Sequence, residues 1–150
     1  MEVKETTIEE ALKVHAKIEE LQETKAEKEA FEPRYQNRKH VIFVAYEEKE
    51  PIGYLIAYDP EDREHCFYCW MAGVEKAYRK RGALTQMMQS LENWMQENGY
   101  TKMTIKTRNN KREMLSYLVH HGFDFTQVEK RENPKENRIY LEKEINKGEI

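Results

Sequence analysis

The sequence predicts a single α/β domain, residues 1–150, built on a seven-stranded sheet with helices on both faces. Three observations lead there. Segments of strand and helix periodicity follow one another as β-α-α-β-β-β-α-β-α-β-β. The fourth of those strands, Cys66 to Val74, is apolar on both sides, which marks a central strand covered by helices on each face. Directly after it come a basic loop and the most amphipathic helix of the chain, so the loop hangs from the middle of the sheet.

In order, Met1 to Glu5 alternates as a short first strand. Thr6 or Thr7 then caps a helix with Glu9 and Glu10 in its first turn, and Ile8, Leu12, His15, Ile18 and Leu21 fall at helical intervals, giving a helix to about Leu21. The stretch Lys25 to Lys39 is mostly charged, with Phe31 and Tyr35 as its only large nonpolar anchors. It reads as a short second helix and a mobile loop broken by Pro33. Val41–Tyr46 and Ile52–Tyr58 are β-rich runs joined by a polar turn, Glu47 to Pro51, as in a hairpin. In the fourth strand, alternation puts Cys66, Tyr68, Trp70, Ala72 and Val74 on one face and Phe67, Cys69 and Met71 on the other. Leu84, Met87, Met88, Leu91 and Met95 stripe the long helix, which stops at Asn98-Gly99. Lys102–Thr107 alternates as a fifth strand, a helix spans roughly Lys111 to His121, and two further strands, Phe123–Arg131 and Arg138–Ile145, are joined by a turn rich in Asn and Pro.

The basic loop carries the chemistry. Arg79, Lys80 and Arg81 stand where a helix begins, and the first turn of a helix presents unpaired N–H groups and a partial positive charge. Cations there cost about 0.3–1 kcal/mol each unless an anion neutralises them. A phosphate or pyrophosphate is the natural occupant, and Gly82 lets the backbone approach it. The competing reading is a solvated basic loop in a chain of which 35% is charged.

Composition excludes other classes. The net charge of −3 argues against general affinity for nucleic acid or an anionic membrane, so the basic triplet is local. No run approaches a membrane span and the first residues lack the layout of a signal peptide, which makes the cytoplasm the default location. Cys66 and Cys69, the only cysteines, sit in a strand and point to opposite faces, as buried core thiols rather than a redox pair or zinc half-site. His15, His40, His65, His120 and His121 have no metal-binding spacing and read as surface or partly satisfied residues. No metal is expected.

Arg79-Lys-Arg-Gly82, five positions after Val74, resembles the acyl-CoA pyrophosphate loop of the GNAT superfamily of N-acetyltransferases, whose motif reads Arg/Gln-x-x-Gly-x-Gly/Ala. Leu84 departs from its last small residue. The order of elements, with Gly122-Phe123 after the last helix, is similar to the complete GNAT fold over nearly the whole chain. The resemblance implies a mixed, mostly antiparallel sheet whose fourth and fifth strands splay apart. It also implies acetyl-CoA as cosubstrate, its pantetheine arm paired with the backbone of Ala72, Gly73 and Val74. The pyrophosphate would be received by the amides of Lys80, Arg81, Gly82, Ala83 and Leu84, with Arg79 and Arg81 as charge partners. Asn110, or its neighbour Asn109, resembles the family's cofactor-contacting asparagine, the other role for either being a helix N-cap.

Catalysis in such a protein looks like direct attack of a neutral amine on the thioester. Members with a carboxylate base on the fourth strand have it six residues before the valine, where this chain has Tyr68. A water chain to a carboxylate elsewhere takes its place. The usual thiolate acid lies four residues before Gly-Phe, where this chain has Leu118; its neighbour Tyr117 is the candidate, against a packing role. The acceptor is a small-molecule or peptide amine entering beside the first helix, the charged loop from Lys25 to His40 and the final hairpin. Mixed charge in that loop does not separate a polyamine from an amino acid, an antibiotic or a protein N-terminus. The alternative function is an acyl-CoA-binding sensing or interaction module with little turnover. A homodimer is common among proteins that look like this.

Overall fold

A computed structural model describes residues 1–145. Strands β1 (Glu2–Glu5), β2 (His40–Glu47), β3 (Glu50–Tyr58), β4 (Cys66–Val74), β5 (Lys102–Arg108), β6 (Asp124–Glu129) and β7 (Arg138–Glu144) form one sheet in the order β1-β2-β3-β4-β5-β7-β6. All neighbours are antiparallel except β4 and β5. Helices α1 (Ile8–His15) and α2 (Lys28–Tyr35) cover one face, and α3 (Ala83–Glu97) and α4 (Arg112–His120) pack on the other.

The two faces hold separate cores. Met87, Met88, Leu91 and Met95 of α3 and Leu115 and Leu118 of α4 pack with Phe67, Cys69, Met103, Ile105 and Leu141. Ile8, Ala11 and Val14 of α1 and Phe31 and Tyr35 of α2 pack with Ile42, Val44, Tyr54, Ile56 and Tyr68. Both cysteines are free and buried, and burial pushes the Cys69 thiol up to about 12.

Four sequence expectations are corrected here. The first helix ends at His15, not Leu21. The Gln22 amide donates to the carbonyls of His15 (2.7 Å) and Ile18 (2.8 Å), satisfying a helix end that a further turn would otherwise have covered. Ile18 is extended, and it and Leu21 drop onto β4 at Gly73. Pro33 does not break the second helix but lies inside it; Phe31 (0% exposed) and Tyr35 (4%) pin the turns on either side of it. In β4, Met71 faces Ile56 while Cys69 faces Ala57, so an extra residue, Trp70, bulges from the ladder. A bulge reverses alternation beyond it, and Ala72 and Val74 therefore lie on the face of Phe67 and Cys69, not that of Tyr68.

His15, read from sequence as surface or partly satisfied, is fully buried. Its Nε2 lies 2.6 Å from the Thr24 carbonyl, which can only accept, so Nε2 carries the proton and Nδ1 accepts from the Tyr54 hydroxyl at 2.7 Å. Tyr54→Phe leaves that nitrogen buried and unpaired. The expected cost is about 1–3 kcal/mol, read as a lower urea midpoint with an unchanged far-ultraviolet spectrum; an unchanged midpoint would disprove the pairing.

Candidate active site

The parallel ladder between β4 and β5 runs only from Cys66↔Lys102 to Cys69↔Ile105. Beyond it the strands separate, and Trp70 to Gly73 are only partly buried although they lie in the middle of the sheet. The bulge and the splay begin at the same place. The Glu75 amide bonds the Ile52 carbonyl on β3 (2.8 Å), so by strand alternation the polar groups of Val74 and Ala72 point to the open side and those of Gly73 to β3. The result is a wedge with the main-chain groups of Ala72 and Val74 turned toward its open side.

At its mouth lies the basic loop. Lys76–Tyr78 form a 3₁₀ turn, Lys80 and Gly82 have left-handed backbone (φ 64° and 88°), and α3 starts at Ala83. A Cβ at Gly82 would meet nothing within 4 Å. Glycine is therefore needed for backbone conformation, at a spot open to a ligand. No side chain caps α3 and no acid sits in its first turn. The first intrahelical bond is Gln86 N–H to the Gly82 carbonyl, which aims the amides of Ala83, Leu84 and Thr85 out of the helix. Leu84, the departure from the motif, packs its side chain against the α3 core rather than across this opening.

The three cations of the loop do different things. Arg79 is engaged within the chain: Nε donates to the Val74 carbonyl (2.8 Å) and Nη1 meets Glu20 Oε2 at 2.9 Å. That bond holds the Glu20 carboxyl below its usual range. Arg79 thus ties the loop to the α1–α2 connection and occupies one of the carbonyls expected to be free. Lys80 and Arg81 are exposed, Arg81 lying over the Tyr78 ring at 5.4 Å, and neither has an acidic partner within 4 Å among the described residues.

Tyr117 stands at the seam of α3 and α4. Its hydroxyl is 3.1 Å from Thr85 Oγ1 in the first turn of α3, and its ring stacks on His121 at 3.9 Å. With Met88, Gln89, Glu92 and Phe123 these residues line a cavity of about 50 Å³. Burial raises the phenol, the Thr85 bond opposing it in part. Leu118 is in the core. Asn109 is committed to the final hairpin, donating to the carbonyls of Asn137 and Pro134. Asn110 is exposed; the N-cap position of α4 is Lys111, so neither asparagine caps the helix.

On the α1–α2 face, the root of the wedge is aromatic and basic. Tyr58, Tyr68 and Trp70 form a ring cluster with centroids 5.4 and 6.0 Å apart. Arg34 lies over Trp70 at 4.8 Å and donates to the Tyr58 hydroxyl (3.2 Å). Lys106 lies over Tyr68 and Tyr140, at 5.0 and 5.3 Å. Sequence reasoning missed this group. Its one legible signal is in β5, where Lys102, Thr104 and Lys106 alternate with the core residues Met103 and Ile105; Arg34 and Trp70 are brought there only by packing. A larger cleft of about 540 Å³ lies at the opposite end of β5, around Lys102 and Glu142, whose charges are paired with each other and with Arg63. Among the described residues no cluster of His, Cys, Asp or Glu suits a metal ion, and no helix is long and apolar enough to cross a membrane.

Residues 8–123 match the model of the acetyltransferase (GNAT) family. The chain belongs to the GNAT family. Its sequence is 35% identical over 79 residues to the L-2,4-diaminobutyric acid acetyltransferase of Streptomyces avermitilis, a match spanning 49% of this chain and 44% of that protein. In fold this GNAT chain is similar to the ribosomal-protein-S18-alanine N-acetyltransferase of Escherichia coli, with a TM-score of 0.77, 11% identity and coverage of 99% and 96% of the two chains. It is also similar to a Bacillus anthracis protein assigned as a streptothricin acetyltransferase and solved with acetyl coenzyme A, at a TM-score of 0.67, 18% identity and coverage of 77% and 68%. The seven-stranded mixed sheet and its split between β4 and β5 are the architecture of this GNAT chain.

Proposed function

We propose that the protein is a single-domain N-acetyltransferase that moves an acetyl group from acetyl-CoA to a primary amine. The observation that carries this reading is the wedge between β4 and β5 opening beside the uncapped, acid-free N-terminus of α3. Ala72 and the Val74 amide offer main-chain partners to a pantetheine arm lying along β4, with Gly73 as the thin point of that strand. The amides of Gly82, Ala83 and Leu84 and the charges of Lys80 and Arg81 receive the pyrophosphate. Arg79 shapes this loop from behind, and Asn110 borders the cofactor at the start of α4.

The amine nitrogen attacks the thioester carbonyl, the C–S bond breaks, and coenzyme A leaves as thiolate. The nitrogen loses a proton, which leaves through water because Tyr68, at the position of a strand base, is a buried phenol whose ionisation burial opposes. The thiolate gains one, and Tyr117, kept protonated by burial, is the group we assign to supply it. The acetyl-CoA-bound neighbour and the family match support the cosubstrate; the diaminobutyrate enzyme supports a small amine as acceptor. We place the protein in the cytoplasm.

Titration with acetyl-CoA at near-physiological salt is expected to give micromolar binding, about −8 kcal/mol, followed by thiol release with a suitable amine. Binding without thiol release from any amine would make the protein a sensing module; no binding would overturn the reading. Tyr117→Phe is expected to lower kcat by about 10²-fold while leaving acetyl-CoA affinity in place. Normal turnover in that variant would reduce Tyr117 to a tie between α3 and α4.

A further inference from the structure

We propose that the acceptor amine carries a carboxylate, because the acceptor face of the wedge is basic and lined by aromatic rings. The inference rests on the transfer reading above and deepens it. Trp70 is the first residue past the last β4–β5 pair, so its face marks where an acceptor must stand to reach the wedge. Three cations converge there from three elements. Arg34 comes from α2, held by Trp70 and the Tyr58 hydroxyl. Lys106 comes from β5 over Tyr68 and Tyr140. Arg138 comes from β7, two positions before Tyr140 and so on the same face of the sheet.

None of the three has an acidic partner within 4 Å among the described residues, whereas at the other end of the same strands Lys102 is paired with Glu142. The acid that reaches this face, Glu129, is held by Arg131 at 2.6 Å and bonds the Tyr140 hydroxyl. Cations parked on ring faces rather than on carboxylates keep their N–H groups available to an anion. Such a face binds a carboxylate and offers no partner to an ammonium group that lacks one beside it. A polyamine or polycationic antibiotic is thereby disfavoured, and a small amino acid fits, its carboxylate at Arg34 and Lys106 and an amine directed into the wedge.

The test compares acceptors that differ only by the carboxylate: L-lysine against cadaverine, and L-2,4-diaminobutyrate against 1,3-diaminopropane, scored by thiol release from acetyl-CoA. The acids are expected to be favoured in kcat/KM by tenfold or more, about one charge-assisted hydrogen bond, mainly through KM. Arg34→Gln with Lys106→Gln is expected to erase that preference while acetyl-CoA affinity holds. Equal or better turnover of the diamines, or a preference untouched by the double variant, overturns the proposal and leaves acetyl transfer standing. If no amine is acetylated, Trp70 emission in a Trp94→Phe background decides: a response to either acid, absent with its diamine and lost in the double variant, supports the carboxylate site, and no response to the acids overturns it.

Discussion

Replacing Lys80 and Arg81 together by glutamate is expected to lower acetyl-CoA affinity by about two orders of magnitude, about 3 kcal/mol, with little change in melting temperature. Both side chains are exposed and without acidic partners among the described residues, so their removal costs the fold almost nothing. What is lost is paired charge for the pyrophosphate. A charge-assisted hydrogen bond contributes about 1.5–3 kcal/mol, the lower figure being appropriate at an exposed site, and the glutamates add repulsion at a helix end that is open to anions. Arg79→Glu behaves differently. It sets two carboxylates against each other at Glu20 and uncovers the Val74 carbonyl, so it disturbs the loop itself and lowers the melting temperature as well as affinity. Calorimetric titration and thermal unfolding of the two variants separate the roles. An unchanged dissociation constant in the Lys80/Arg81 variant would remove the loop from the cofactor site.

Phe31→Ala is expected to cost about 3–5 kcal/mol and to open the acceptor side of the molecule. Helix α2 is eight residues long and buries only Phe31 and Tyr35. Phe31 is fully enclosed, its ring 5.0 Å from His15 and 5.5 Å from Trp70. Without it the helix keeps one anchor, too little to hold two turns of mostly charged sequence in place. The loss is therefore felt first as local opening: amide protection over Lys28–Tyr35 collapses, and the melting temperature falls by several degrees. Because α2 carries Arg34 over Trp70, acceptor KM rises while acetyl-CoA affinity, set on the other side of the wedge, stays. Unchanged exchange and unchanged KM would show that α2 takes no part in acceptor binding.

Much of the framework was legible because it rests on local periodicity. The alternation of β2, β3 and β5, the methionine and leucine stripe of α3, and the double-sided hydrophobicity of β4 each repeat a burial pattern within one segment, and the sheet order follows from how such segments pack. The loop was legible for a similar reason. Cations and a glycine at a helix start contradict the usual charge preference there, and a local contradiction is visible without coordinates.

The extra residue in β4 was not. Nothing in the composition of Tyr68-Cys-Trp-Met-Ala72 distinguishes a bulge from regular alternation, since all five residues are compatible with burial. The register with β3 decides it, and with it which face Ala72 and Val74 present. The end of α1 was likewise set from outside its period, by the Gln22 amide closing the carbonyls that a longer helix would have bonded. His15 read as a polar residue on a helix stripe; its burial depends on Tyr54, 39 positions away, and on the Thr24 carbonyl. Arg79 looked like its two neighbours until Glu20 was placed opposite it.

The sequence by itself determined the elements, their order and the place of the basic loop at the start of α3, because these depend on hydrophobic period, turn chemistry and helix-end charge within a few residues. Tertiary structure alone decided which cations are paired inside the chain and which have no acidic partner among the described residues. Arg79 meets Glu20 across 59 positions, and Arg34, Lys106 and Arg138 come to one face of the sheet from three separate elements. Whether a charge is paired depends on distances of a few ångströms between segments far apart in the chain, and no pattern within one segment encodes them.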